Sequence, residues 1–464
     1  MVSIPLKQKR ERESSTQLNI TIVGAGLGGL GAAISLSLAG HNVTVLEATQ
    51  TLCEVGAGIQ VLPNSSRVLQ SWGLGPRLET HCTSPSHVNM LGWKGNLISS
   101  MNFAESAAKY PGTCYWDFHR ANLHNALVER ALELGAKVRL GCRVTDVRCD
   151  KDGIGASIDL VNGEVIATDL VIGADGINSK LREVMLGKAD PPTLTGDLAF
   201  RLLLSTKDML KDPVLRDFVE KPQVNYWMGP DKHAVNYVLR GGELLNMVLL
   251  VPDDMPQDGP STLAGDVTEM QALFEDWDPR IPKLLALSES VYKWRLCIRK
   301  GMERWSHPSG SFTLLGDAVH ATLPYLASGA GMALEDAAVL GELFGRSENP
   351  RVPEEKRLLL QMYEECRKPR TERVVERGNT QQWLYHLHDG PEQQERDRIM
   401  KAMEAGEALA WRDKSLSDWL LGYNVEDDVA RVWSKQSMKM MKEVAPALSD
   451  TNAFDAETRI TSNL

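Results

Sequence analysis

LNITIVGAGLGGLGAAISLSLAGHNVTVLE, Leu18 to Glu47, reads as strand, turn, helix and strand. Leu18 to Val23 is a short apolar run, and Gly24, Gly26 and Gly29 make a G-x-G-x-x-G turn. Leu30 to Leu38 has helical spacing, and Val43 to Leu46 is a second buried strand that ends on Glu47. This is the pattern of a dinucleotide-binding βαβ unit. Gly24 allows the tight turn, Gly26 lets backbone approach a pyrophosphate, and Gly29 lets helix pack on strand, while the helix N-terminus offers free N–H groups to the anion. Glu47 stands where an acidic residue accepts hydrogen bonds from a ribose diol. The turn alone leaves NAD and FAD both open.

Two plainer readings compete with this one. Between Glu13 and Glu47 the only ionisable side chain is His41, so the stretch has the hydropathy of a membrane helix. Five glycines between Gly24 and Gly31 weigh against that, because they weaken a spanning helix and suit a turn. The other reading is a glycine-rich turn with no nucleotide.

Composition narrows the rest. A chain of 464 residues with 43% hydrophobic and 24% charged residues is expected to form two or three globular units. A net charge of −10 disfavours nucleic acid as a general partner. Seven scattered cysteines without C-x-x-C spacing argue against a disulfide framework or a zinc site and suit a reducing, cytoplasmic setting. Lys7 to Arg12, KQKRER, is expected to be a solvated, poorly ordered tail. The terminal Ser462-Asn463-Leu464 is a weak echo of a peroxisomal S-K-L address.

Further along, a second glycine turn at Gly56 and Gly58 precedes a helix starting near Pro63, which makes Gly58 a cofactor candidate. Arg67 on that helix is either ligand-facing or an ordinary surface residue. A helix from His119 turns Leu123, Leu127 and Ala131 inward. Arg120 sits at its start, unfavourable for a cation unless an anion is near, so it is a phosphate or ribose candidate, or else merely solvated. Strands are expected at Val138–Leu140, Val144–Cys149, Ala156–Leu160 and Glu164–Thr168, then a buried strand running into Gly173, Asp175 and Gly176 with a helix opening near Ser179. From Thr195 to Trp294 the βαβ rhythm gives way to antiparallel patterning at Leu198–Leu204, Gln223–Met228, Ala234–Leu239 and Leu244–Val251, with Trp294 ending a further strand. Gly310–Leu315 returns to a buried strand, an apolar helix covers Met332–Phe344, and the chain beyond Pro353 is helical and charged to about Met403, with a last helix near Val425–Lys442.

With the glycine motif and Glu47, D-L-V-I-G-A-D-G-I-N-S-K-L-R (Asp169–Arg182), and G-D-A-V-H followed by A-S-G-A-G-M-A-L-E-D-A (Gly316–Ala337) in order, the chain resembles the class A FAD-dependent aromatic monooxygenases, fungal salicylate hydroxylase-like. The resemblance implies an α/β fold: a Rossmann-like, p-hydroxybenzoate hydroxylase-like FAD-binding domain, an inserted mixed or antiparallel β-sheet substrate domain, and a C-terminal helical region. The division it suggests is a disordered tail (1–16), a discontinuous FAD-binding domain (17–86, 108–192 and 296–346), a substrate domain (87–107 and 193–295) and a helical region (347–464). Gly24, Gly26, Gly29 and Glu47 would hold the ADP half and Arg120 the cofactor backbone. Asp317 would bind the ribityl or pyrophosphate region, and Gly329, Ala330 and Gly331 would present helix N–H groups to the flavin edge that becomes negative on reduction. Asp175 and Gly176 belong to the motif that serves both FAD and the nicotinamide. The family's usual proline after G-D-A-x-H is Ala321 here, while Pro324 of the same loop remains.

After Glu47 no second dinucleotide unit follows, which matches transient docking of NADH or NADPH to a resident FAD. The resemblance then implies reaction of the reduced flavin with O2 to a C4a-hydroperoxide that hydroxylates a phenolic or aromatic small molecule. The cofactor carries the chemistry, and the protein orients the ring and excludes water. Arg201 follows Phe200 in the otherwise apolar A-F-R-L-L-L, where a cation is costly unless paired. It is a candidate anchor for a carboxylate or phenolate, or a salt-bridge partner of a sheet neighbour. Tyr237 and His233 are candidates to promote phenol deprotonation, Tyr237 being equally readable as a core aromatic. His320 reads as a structural loop residue, and Glu335 and Asp336 as helix caps or backbone partners. Epoxidation of an indole or alkene in secondary metabolism is the close alternative; a flavin reductase and a non-catalytic carrier of lipidated proteins are further ones.

Overall fold

The computed structural model describes residues 4–52, 57–402 and 414–438. Gly56, the part of the expected last helix beyond residue 438 and the terminal Ser-Asn-Leu lie outside these residues.

The opening segment folds as strand Asn19–Val23, helix Leu27–Leu38 and strand Asn42–Leu46. Its first strand is the centre of a five-stranded parallel sheet, with Leu170–Gly173 and then Phe312–Leu314 on one side and Asn42–Leu46 and then Lys137–Arg139 on the other. All three glycine motifs therefore leave neighbouring strands at the same edge of one sheet, the edge where ligands gather in open α/β folds. A three-stranded antiparallel sheet (Val144–Cys149, Ala156–Leu160, Val165–Thr168) flanks it.

The second large sheet has eight strands and is antiparallel except where Val224–Gly229 runs parallel to His87–Gly92. Its centre is Thr193–Ser205 beside Leu244–Pro252, followed by Lys232–Leu239. Trp294 does not end a strand as expected but lies inside Val291–Ile298, because pairing with Thr193–Ser205 continues past it at Arg295, Cys297 and Ile298. The charged helix beyond Pro353 runs to Tyr385, and a second helix, Pro391–Ala402, starts after a break around Gly390.

Helix Leu27–Leu38 packs in parallel along helix Gly329–Arg346 through a seam of small residues. A Cβ on Gly28 would sit 3.1 Å from that of Ala333, one on Gly31 3.2 Å from that of Ala337, and one on Gly341 would collide with Ser35 Oγ. The two backbones thus approach closely, and both helix N-termini point to the same place.

The basic run Lys7–Arg12, read as a solvated tail within 1–16, is instead bound to the far ends of these helices. Arg12 donates to the carbonyls of Ala39 (2.8 Å), Phe344 (2.5 Å) and Ser347 (2.8 Å), and Arg10 to that of Gly345. Lys7 pairs with Glu342. Helix C-termini carry unsatisfied carbonyls and partial negative charge, so a cationic run beside two of them is held rather than free.

Candidate active site

At the nucleotide end, Gly24 has φ +108°, and a Cβ on it would collide with the carbonyl of Ala174. A Cβ on Gly29 would collide with the carbonyl of Gly24, so helix and turn touch there. Gly26 differs: among the described residues nothing lies within 4 Å of its would-be Cβ, and it borders a cavity of about 310 Å³. The helix that follows has no side-chain cap and no acidic residue in its first turn, leaving its N–H groups open to an anion. Glu47 accepts from the backbone N–H of Ala25 (2.8 Å) and Thr49 (2.9 Å), so its carboxylate also shapes the turn. Arg120, first residue of helix Arg120–Glu133, lines the cavity.

The third motif closes the opposite wall. Gly316 has φ +62°, Asp317 beside it is exposed to the cavity, and Pro324, Gly329 and Ala330 line it too. Helix Gly329–Arg346 likewise begins without a side-chain cap or an early acidic residue. Gly331 is buried off the wall, against Asn64 and Ser65. Asp175 is also off the wall, although its neighbours Ala174 and Gly176 line it. Its carboxylate accepts from Ser179 Oγ (2.6 Å) and the Leu181 N–H (3.0 Å), and burial raises its pKa.

Behind the wall lies a buried ionic cluster. Asp336 accepts from the Gly316 N–H (2.9 Å), His320 Nε2 (2.6 Å) and Arg367 Nε (2.7 Å). His320, read as a loop residue, ends the short helix Asp317–His320 and is held there by Asp336. Glu335 is no helix cap: it pairs with Arg370 and Arg367 and accepts from Asn64. Arg67 does not reach the cavity either, since it donates to the carbonyls of Gly422 and Tyr423. Arg182 of the second motif donates to the carbonyls of Val319 (2.9 Å) and Lys300 (2.7 Å), tying two motifs together.

The eight-stranded sheet forms the remaining wall. Arg201, Tyr237 and His233 all line the cavity. Arg201 is half-buried, and among the described residues its buried Nε has no hydrogen-bond partner and no carboxylate pairs with it. Its guanidinium lies 5.0 Å from the Trp294 ring. Burial lowers its pKa, and the nearby Tyr237 opposes that shift. Tyr237 is buried against Gly58, whose would-be Cβ lies 2.5 Å from its ring, and Gly58 N–H donates to Asn246 Oδ1 (2.8 Å). Burial raises the Tyr237 phenol, with Asp117 adding to it. His233 is enclosed by Tyr325, Tyr385 and His386, with its Nδ1 2.7 Å from His386 Nε2.

A family model described as FAD binding domain matches residues 17–378. The chain is 40% identical over 405 residues to the FAD-dependent monooxygenase OpS4 of Beauveria bassiana (strain ARSEF 2860), covering 85% of this chain and 92% of that one. It is 32% identical over 388 residues to the 3-amino-4-hydroxybenzoate 2-monooxygenase PtmB3 of Streptomyces platensis, covering 82% and 92%. A solved salicylate hydroxylase substrate complex superposes with a TM-score of 0.74 at 23% identity, over 90% of this chain and 98% of that one. The chain belongs to the FAD-dependent monooxygenase family.

The monooxygenase has a cavity that fits an FAD. Two uncapped helix N-termini converge on it, Gly26 leaves open space for a diphosphate, and Arg120 stands at its edge. Of the residues singled out in the sequence, Gly26, Gly58, Arg120, Arg201, His233, Tyr237, Asp317, Pro324, Gly329 and Ala330 share this one cavity. Gly24, Gly29, Glu47, Asp175 and Gly331 are not part of its lining. Sequence reasoning missed Gln60, Tyr226 and Tyr325 on the wall, and His386 behind His233. The run Tyr385-His386-Leu387-His388, aromatic and histidine-rich at the end of a charged helix, was the available signal. No helix among the described residues is long and apolar enough to cross a membrane.

Proposed function

We propose that this monooxygenase uses NADH or NADPH and O2 to hydroxylate a phenolic small molecule bearing a second, anionic group, a salicylate-like acid or an aromatic secondary metabolite. The carrying observation is Arg201, a half-buried cation with no ion-pair partner among the described residues, on the same wall as His233 and Tyr237. A partly desolvated guanidinium favours a carboxylate that completes its charge-assisted hydrogen bonds. When bound, FAD reduced by the nicotinamide supplies the activation of O2. The chain does the rest: Arg201 orients the acid, His233 takes up the hydroxyl proton so that the ring becomes electron-rich, and the apolar Val235, Val248 and Leu250 keep water out. We further assign 17–86, 108–192 and 296–346 to cofactor binding, 87–107 and 193–295 to substrate binding, and a cytoplasmic setting to the reaction.

The test is a flavin spectrum of the purified protein, then NADH and NADPH oxidation across an aromatic panel beginning with salicylate, with products identified by mass spectrometry. Gain of one oxygen on the ring, with one nicotinamide oxidised and one O2 consumed, is expected. Absence of bound flavin, or hydrogen peroxide as the sole product across the panel, would overturn the reading.

A further inference from the structure

His233 lies on the cavity wall and is 1% exposed. One ring nitrogen, Nδ1, is 2.7 Å from His386 Nε2; the other, Nε2, is buried without a hydrogen-bond partner among the described residues. His386 follows the last turn of helix Pro353–Tyr385 and lines a different, outer cavity of about 650 Å³ with Trp383, Gln382, Asp231 and His388. Its Nδ1 is 3.8 Å from Asp197 Oδ2, and Asp197 also accepts from Tyr325 Oη. The two histidines therefore bridge the inner cavity and the outer one.

The hydrogen positions follow from the partners. Asp197 Oδ2 is too far from His386 Nδ1 for a hydrogen bond, but its charge favours the proton on that nitrogen, leaving Nε2 as acceptor. His233 must then donate from Nδ1, and its Nε2 is left as a lone pair. Burial keeps both rings neutral, lowering His233 well below and His386 below the usual imidazole range. The groups facing the pair are Tyr325 from the turn Pro324–Leu326, Tyr385 from the long helix, Asp197 from strand Thr193–Ser205, and Asp231 from the hairpin turn, itself paired with His388 at 3.0 Å.

We propose that His386 is the proton outlet of the active site: it fixes the His233 tautomer and passes the proton taken from a bound hydroxyl to the outer cavity. The proton leaves the phenol oxygen for His233 Nε2 as the Nδ1 proton of His233 moves to His386 Nε2, and the Nδ1 proton of His386 leaves to water. The phenol becomes phenolate, no electron changes hands, and the reverse sequence resets both rings when a neutral product departs. His386 is a positioning and relay residue; His233 is the one that touches substrate. This rests on the phenol reading above.

The test uses the full-length, FAD-loaded protein and 4-hydroxy-3-nitrobenzoate, whose carboxylate suits Arg201 and whose visible absorbance reports ionisation of its hydroxyl. In stopped flow below the free probe's own ionisation, the wild type is expected to ionise the bound probe. His386→Gln keeps a hydrogen bond to His233 but cannot relay; it should slow ionisation at least tenfold while leaving probe affinity within twofold. His386→Ala should be slowed similarly and recovered by added imidazole. Thermal unfolding and the flavin spectrum verify that each variant is folded, and should His386→Ala fail to fold, His386→Gln carries the test. Ionisation by His386→Gln at the wild-type rate, a folded His386→Ala that imidazole leaves unchanged, or a probe that does not bind or stays protonated in the wild type overturns the proposal. Wild-type hydroxylation of the aromatic panel is scored separately, so a failed relay and a failed phenol reading give different results.

Discussion

Arg201 was legible as an oddity, a cation inside A-F-R-L-L-L, but its lack of an ion-pair partner among the described residues was not. Whether a strand residue finds a counter-charge depends on register, and here Val248 and Tyr292 are its neighbours. Arg201→Met is expected to raise KM for a carboxylated substrate by about 30- to 1000-fold, the cost of roughly 2–4 kcal/mol for losing one partner of a buried charge pair. Because the ligand-free protein already bears the cost of burying that cation, the same variant should not lower its unfolding temperature. His41 allows a pH prediction. Burial and then the nearby Arg12 lower its pKa to about 3, and its Nδ1 accepts from the Leu18 N–H. The unfolded chain takes up this proton near pH 6.5, so the contribution is complete above that pH and is lost as pH falls from there towards 3. Urea unfolding should show about 2 kcal/mol less stability from this group at pH 5 than at pH 8, a difference that His41→Gln removes.

The glycine turn, its helix and both strands were readable from spacing, because each residue there answers to a local geometric demand. Two of the glycines nonetheless answer to different masters, and variants separate them. Gly26 has φ −71°, ordinary for any residue, and open space at its Cβ, so Gly26→Ala should leave the unfolding temperature unchanged and weaken FAD binding at least tenfold by crowding the diphosphate. Gly29→Ala would collide with the Gly24 carbonyl and should cost about 1–3 kcal/mol of stability whether or not FAD is present. Calorimetry of apo and FAD-loaded forms distinguishes the two. Equal loss of stability in both variants would show that Gly26 serves the fold instead. The pairing of helix Leu27–Leu38 with Gly329–Arg346 was not readable, since small residues on a helix face do not name the surface they meet.

Across the whole molecule, the sequence disclosed three motifs in order but not that two helices built on them share one seam, nor that the amino-terminal cations close its far end. The charge pattern KQKRER looks the same free or bound; only the arrival of two helix C-termini at one spot decides. Removal of residues 1–12 is therefore expected to lower the unfolding temperature by several degrees and to weaken FAD retention, as followed by flavin fluorescence on heating. A tail that contributed nothing would leave both unchanged. The seam also has a temporal meaning. Helix Leu27–Leu38 is buried on nearly every side, yet its partner Gly329–Arg346 is made about 300 residues later, roughly 15–60 s at ordinary synthesis rates. Its central strand waits as well, since Leu170–Gly173 and Phe312–Leu314 lie far downstream. The nascent chain thus carries its most apolar segment unsheltered for most of translation, and the first motif to emerge from the ribosome is among the last to be completed.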